Sequence, residues 1–132
     1  LLARARAALS GGRSAVIDGS FVQQAWRAPF RALAAELGAR FCCVRLSADE
    51  DLIRRRLARR ALDPEEASEA NFEVYLRLRE QQESLDDLPP GERLELDSAA
   101  FDSELGQGAA ARGLEQALAR LADRLEAGAA PR

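Results

Sequence analysis

Apolar and polar positions change period several times along the chain, and each change marks an element. Residues 1–9, LLARARAAL, are good helix formers and stop at Ser10-Gly11-Gly12, a helix-end signal. Ala15-Val16-Ile17 predicts a short strand ending on Asp18, with Gly19 turning the chain. Over 22–37 the apolar residues Trp26, Phe30, Leu33 and Leu37 recur at helical spacing, and Gly38 closes the helix. Pro29 inside it predicts a kink, or a helix that starts there. Trp26, Phe72 and Tyr75 are expected as core anchors, and Arg27 as a surface residue, the alternative being that it faces the crevice.

RFCCVRL, residues 40–46, is apolar apart from its arginines, as expected of a strand covered on both faces. Ser47-Ala48-Asp49-Glu50 spells a capping box, so the next helix should start there. Asp63-Pro64-Glu65-Glu66 starts another helix, expected to run to about residue 84. Pro89-Pro90-Gly91 breaks the chain, and RLELDS, residues 93–98, alternates as an edge strand does. GQG at 106–108 reads as a loop. A last helix over about 112–127 puts Leu114, Leu118, Leu121 and Leu125 on one stripe.

Three strands alternating with helices predict an α/β fold, a parallel sheet with helices on both faces joined by right-handed crossovers. Residues 1–132 are expected to form one domain, with no repeat or linker inside it.

Composition narrows the chemistry. The net charge of −3 argues against nucleic-acid or membrane-surface binding driven by overall charge. With no histidine, there is no imidazole base or metal ligand. All 19 cations are arginines, which excludes a lysine Schiff base and a lysine phosphate clamp. No methionine occurs, at position 1 or elsewhere, so the chain is expected to begin partway through a longer reading frame. Cys42 and Cys43 are adjacent and would point to opposite faces of a strand, so reduced thiols and a cytoplasmic location are expected. No apolar run approaches the length of a membrane span.

Ligands of open parallel sheets bind beyond the carboxyl ends of the strands. Asp18, Ser47 and Asp97-Ser98 all fall at such ends. Asp18 is placed to reach Mg²⁺ or an acceptor hydroxyl, or else to cap the turn before Gly19. The segment IRRRLARR carries Arg54, Arg55, Arg56, Arg59 and Arg60. Arg56 and Arg60 are four apart and share a helix face, and Arg55 and Arg59 form a second such pair. Forked guanidiniums match phosphate oxygens. The alternative is a solvated helix balanced by the acids on either side, and an RNA-phosphate contact is a third reading, opposed by the lack of basic surface elsewhere.

Taken together, VIDGSF, the Arg56-Leu57-Ala58-Arg59-Arg60 run and SEAN…QQESLD resemble the carboxyl-terminal two-thirds of a small P-loop kinase. The likeness covers about residues 5–99. It is to the gluconate-kinase and zeta-toxin type, and more closely to the ATP-binding module fused to aminoglycoside-phosphotransferase-like domains in bacteria. The resemblance implies a P-loop NTPase-like fold that uses ATP and Mg²⁺ to phosphorylate a hydroxyl on a small molecule. A phosphotransferase-like domain could be fused to it. It implies a lid over about 54–66, with Arg56 and Arg60 as its catalytic arginines and Arg59 as an alternate. Asp18 would be the strand-end carboxylate near Mg²⁺ or the acceptor, and Asp97 and Ser98 would border the adenine. No GxxxxGK[ST] occurs in the chain, so the phosphate loop and the first strand are absent from it. That strand would lie between those at 15–17 and 41–46. Alternatives are direct pairing of those two strands, which leaves no nucleotide site, and a degenerate nucleotide-binding or protein-interaction module without catalysis.

Overall fold

The computed structural model describes residues 1–62, 71–101 and 107–127. Its helices and strands run in the order α1 (Leu2–Ser10), α2 (Gln24–Glu36), β1 (Cys43–Ser47), α3 (Glu50–Arg60), α4 (Phe72–Glu80), β2 (Arg93–Asp97) and α5 (Gln107–Ala127). Short 3₁₀ turns at Pro90–Glu92 and Ser98–Phe101 flank β2. β1 and β2 pair in parallel, with Val44 opposite Leu94 and Leu46 opposite Leu96. The helical connection between them is what a parallel pair requires.

The α/β class and the parallel pairing are as expected; the third strand is not seen. Residues 13–18 carry no regular structure, and Val16 is 95 % exposed. A strand exists through ladder bonds to a neighbour, and among the described residues the sheet has only β1 and β2. Direct pairing of 15–17 with the second strand is not seen either.

Several boundaries move for identifiable reasons. Ser47 remains in the ladder opposite Asp97 and donates its hydroxyl to the Leu96 carbonyl at 3.3 Å. The cap of α3 is therefore Asp49, whose carboxylate accepts from the Leu52 N–H at 2.7 Å. α4 is capped by Asn71, which accepts from the Val74 N–H, and it ends at Glu80 rather than near 84. The Asp63-Pro64 start falls outside the described residues. α2 begins at Gln24, where the Glu83 carboxylate accepts from the Gln24 N–H at 2.5 Å, and it passes through Pro29 rather than starting there. α5 starts at Gln107, so Gln107 and Gly108 are helical rather than loop.

The core is small. Leu94 and Leu96 of β2 pack on Ala117 of α5, joined by Cys42 and Leu121. Ala5 of α1 is buried, as are Leu33 and Ala34 of α2, the helix α1 packs against, and the Arg6–Glu36 ion pair ties the two helices. β1 was expected to be covered on both faces, yet Val44 is 37 % and Leu46 60 % exposed. They share a sheet face with Leu94 and Leu96, and α5 covers only the β2 side of it. Trp26, expected in the core, is 44 % exposed, and Phe72 and Tyr75 are only half-buried.

Candidate functional site

The carboxyl ends of β1 and β2 open on the same side, and α3 leaves β1 there after two residues. At that edge Asp97 folds the chain back on itself: its carboxylate accepts from the Ala99 N–H at 2.9 Å, an Asx turn that starts the 3₁₀ segment. This turn buries Ser98.

Arg56 reaches across from the second turn of α3. Its guanidinium donates to the Ser98 hydroxyl at 2.8 Å and to the Ser98 carbonyl at 3.1 Å. Three expected site residues, Arg56, Asp97 and Ser98, thus meet at the carboxyl edge. Arg59 and Arg60 lie exposed on the last turn of the same helix. Arg54 is turned elsewhere, donating to Glu50 at 2.8 Å with its guanidinium 3.6 Å from the Phe72 ring centre. Glu50 also accepts from Arg79 of α4 at 2.8 Å, so the first turn of α3 is tied to α4. These two arginines hold the Glu50 carboxyl below its ordinary value, Arg54 first.

Asp18 is not brought to this group. It is exposed, follows an unpaired tract, and has no hydrogen-bond or ion-pair partner among the described residues. The expected lid can be followed through Leu62 only, since its remainder lies outside the described residues.

The residue that sequence reasoning misplaced is Arg27. It is 3 % exposed and forms an ion pair with Asp87 at 3.0 Å. The signal was its position on α2, three residues before Phe30 and seven before Ala34, which is the buried stripe. Cys42 and Cys43 are free thiols, as expected, and burial raises both above the ordinary thiol value. Glu92 and Glu95 are engaged in ion pairs with Arg31 and Arg45, and form no acid–base dyad.

A cavity of about 560 Å³ lies at the opposite end of the sheet, lined by Ala28, Ala32 and Ala35 of α2 with Phe41, Pro89 and Leu125. It sits before the amino ends of both strands, away from Arg56 and Ser98. Among the described residues no group of three or more Asp, Glu, Cys or His is poised to hold a metal ion. No described helix is long and apolar enough to cross a membrane.

Nucleotide phosphates need a backbone N–H cradle at the start of a helix, with a lysine and a hydroxyl beside it. The chain has no such loop and no lysine. The residues present form an arginine-bearing wall at the carboxyl edge of the sheet and do not by themselves fit ATP and Mg²⁺.

No curated protein and no solved structure matches the chain. The residue pattern of the AAA domain matches residues 1–85, the part that carries VIDGSF, the arginine helix and QQESL. P-loop domains of this kind generally bind ATP with Mg²⁺. That match spans more than half of the chain, which therefore belongs to the AAA-domain family of P-loop kinase-like, nucleotide-binding proteins.

Proposed function

We propose that these residues are the arginine-bearing part of an ATP-dependent small-molecule kinase domain of the gluconate-kinase and zeta-toxin type. The completed domain transfers the γ-phosphoryl to a hydroxyl acceptor, and this chain alone is inactive. The observation that carries the reading is the placement of Arg56 against Ser98 at the carboxyl edge of the parallel sheet, where ligands of such sheets bind. In this reading Arg56 and Arg60 face the phosphates, with Arg59 as their alternate. Asp97 and Ser98 border the adenine, and Asp18 stands near Mg²⁺ or the acceptor. The missing strand and Gly-rich loop pair along the outer edge of β1, between it and the 13–18 tract. Such a protein works in the cytoplasm, and a fused phosphotransferase-like domain would be its partner.

Titration calorimetry with Mg-ATP tests this on residues 1–132 and on a longer chain carrying the preceding coding sequence. The shorter chain should show no saturable binding. The longer one should bind, and Arg56→Ala with Arg60→Ala should weaken it about tenfold or more, the scale of losing charge-assisted bonds. Unchanged affinity rejects the arginine assignment.

A second reading, a non-catalytic nucleotide-binding or protein-interaction module, is favoured by the apolar residues left open at Val44, Leu46, Leu114 and Leu118. It predicts that the longer chain transfers no phosphoryl group even when ATP binds.

A further inference from the structure

We infer that Arg27 is a positioning residue: its buried guanidinium, with the Glu83 carboxylate, fixes the turn that follows Asp18 against the segment 83–87. The functional weight of that turn rests on the phosphoryl-transfer reading of Asp18; the clamp itself does not.

The turn is built by two successive short bonds, Phe21 N–H to the Gly19 carbonyl at 3.0 Å and Val22 N–H to the Ser20 carbonyl at 2.8 Å. Little else within it resists opening, since Asp18, Gly19 and Ser20 are exposed. Its order comes from outside. The Phe21 ring stands edge-on to Phe30 of α2 at 5.3 Å and closes over Gly19, where an added Cβ would come within 3.2 Å of that ring. One terminal nitrogen of Arg27 donates to the Phe21 and Val22 carbonyls, at 3.1 and 3.3 Å. The other donates to the Ser84 carbonyl and the Asp87 carboxylate, both at 3.0 Å. A single planar group therefore grips the turn with one nitrogen and the 84–87 segment with the other. Its Nε has no acceptor among the described residues, so the bonds are concentrated on those two grips.

Glu83 closes the same joint from the opposite direction. Its N–H donates to the Val22 carbonyl at 2.9 Å, while its carboxylate accepts from the Gln24 N–H at 2.5 Å. The unusual feature is the reciprocity: the chain around Phe21–Gln24 both donates to and accepts from 83–87, at a place where neither segment is in a strand. An arginine is required because five donors fixed in one plane can hold acceptors on two sides, whereas a lysine ammonium is a point.

The test is ¹⁵N relaxation and amide exchange on the chain, on Arg27→Lys, and on Asp87→Asn. In Arg27→Lys the order parameters of Gly19–Val22 should fall from about 0.85 towards 0.6. Exchange at Val22, Gln24 and Glu83 should speed up at least about tenfold, while Leu94, Leu96 and Ala117 stay within about threefold. A merely structural arginine would speed exchange at all six amides together, and that outcome, like no change at the first three, overturns the inference. Should Arg27→Lys fail to fold, Asp87→Asn decides. It leaves the arginine in place with one acceptor weakened and should show the same local pattern with smaller factors; the absence of that pattern is equally fatal. Fluorescence of Trp26, the single tryptophan, on α2, monitors folding throughout. No nucleotide enters the measurement, so the clamp and the kinase reading can fail separately.

Discussion

The two outer edges of this two-stranded sheet meet opposite fates. Beyond β2, α5 closes the edge: Leu94 and Leu96 are buried against Ala117, and Arg120 and Arg124 donate to the Glu95 and Pro90 carbonyls. Beyond β1 nothing described covers the edge, and on the shared sheet face Val44 and Leu46 stay open although each lies beside a buried leucine in register. Strands of the same alternating kind therefore differ in burial only through their neighbours. An unpaired strand edge with apolar side chains is a template for another strand. In the proposed kinase reading, this edge is where the first strand of the completed domain pairs.

The largest expected effect breaks the comparison on the closed side. Leu94→Ala should cost about 2–5 kcal/mol in urea unfolding, as large-to-small changes in a packed core do. Val44→Ala, directly opposite it, should cost less than about 1 kcal/mol. Equal losses would mean that the open face is buried in solution.

Next is the staple at the carboxyl edge. Arg56→Ala strips the buried Ser98 hydroxyl of its donor and should destabilise by about 1–3 kcal/mol in the same assay. Arg45→Ala, which breaks the exposed pair with Glu95, should cost at most about 1 kcal/mol.

Smaller again is the effect on association. Leu46→Lys places a charge on the open face of the edge strand and should lower self-association in sedimentation while leaving stability within about 0.5 kcal/mol. If the edge is not adhesive, sedimentation will not change.

The smallest effect is that of pH. Arg54 and Arg79 lower the Glu50 carboxyl below its ordinary value of 4.5, so the α3–α4 tie is complete above that value and weakens as pH falls through the lowered one. Acid titration followed by the Glu50 side-chain resonance should move below 4.5 in the chain and return to it in Arg54→Ala with Arg79→Ala.

Where local patterns decide structure, the sequence was a good guide. The leucine alternation in RLELD, the helix stop at Gly11-Gly12 and the arginine helix were all legible, because propensity and period act within a few residues. The AVI tract before Asp18 was misread because a strand needs a partner that local pattern cannot supply. Arg27 was misread for a related reason. A guanidinium on a buried stripe is tolerated only when carbonyls and a carboxylate some sixty residues away in sequence arrive to meet it, and 84–87 does so. The helix face of Arg56 was legible from its spacing, but its grip on Ser98 depends on an Asx turn at Asp97 that no spacing rule contains.

Amide exchange along β1 tests most directly whether its outer edge awaits a strand. In residues 1–132 alone, the Cys43–Ser47 amides that do not bond to β2 should exchange rapidly. In a chain extended by its preceding coding sequence they should become protected to the level of β2. Rapid exchange in both chains, or protection already present in the shorter one, would contradict it.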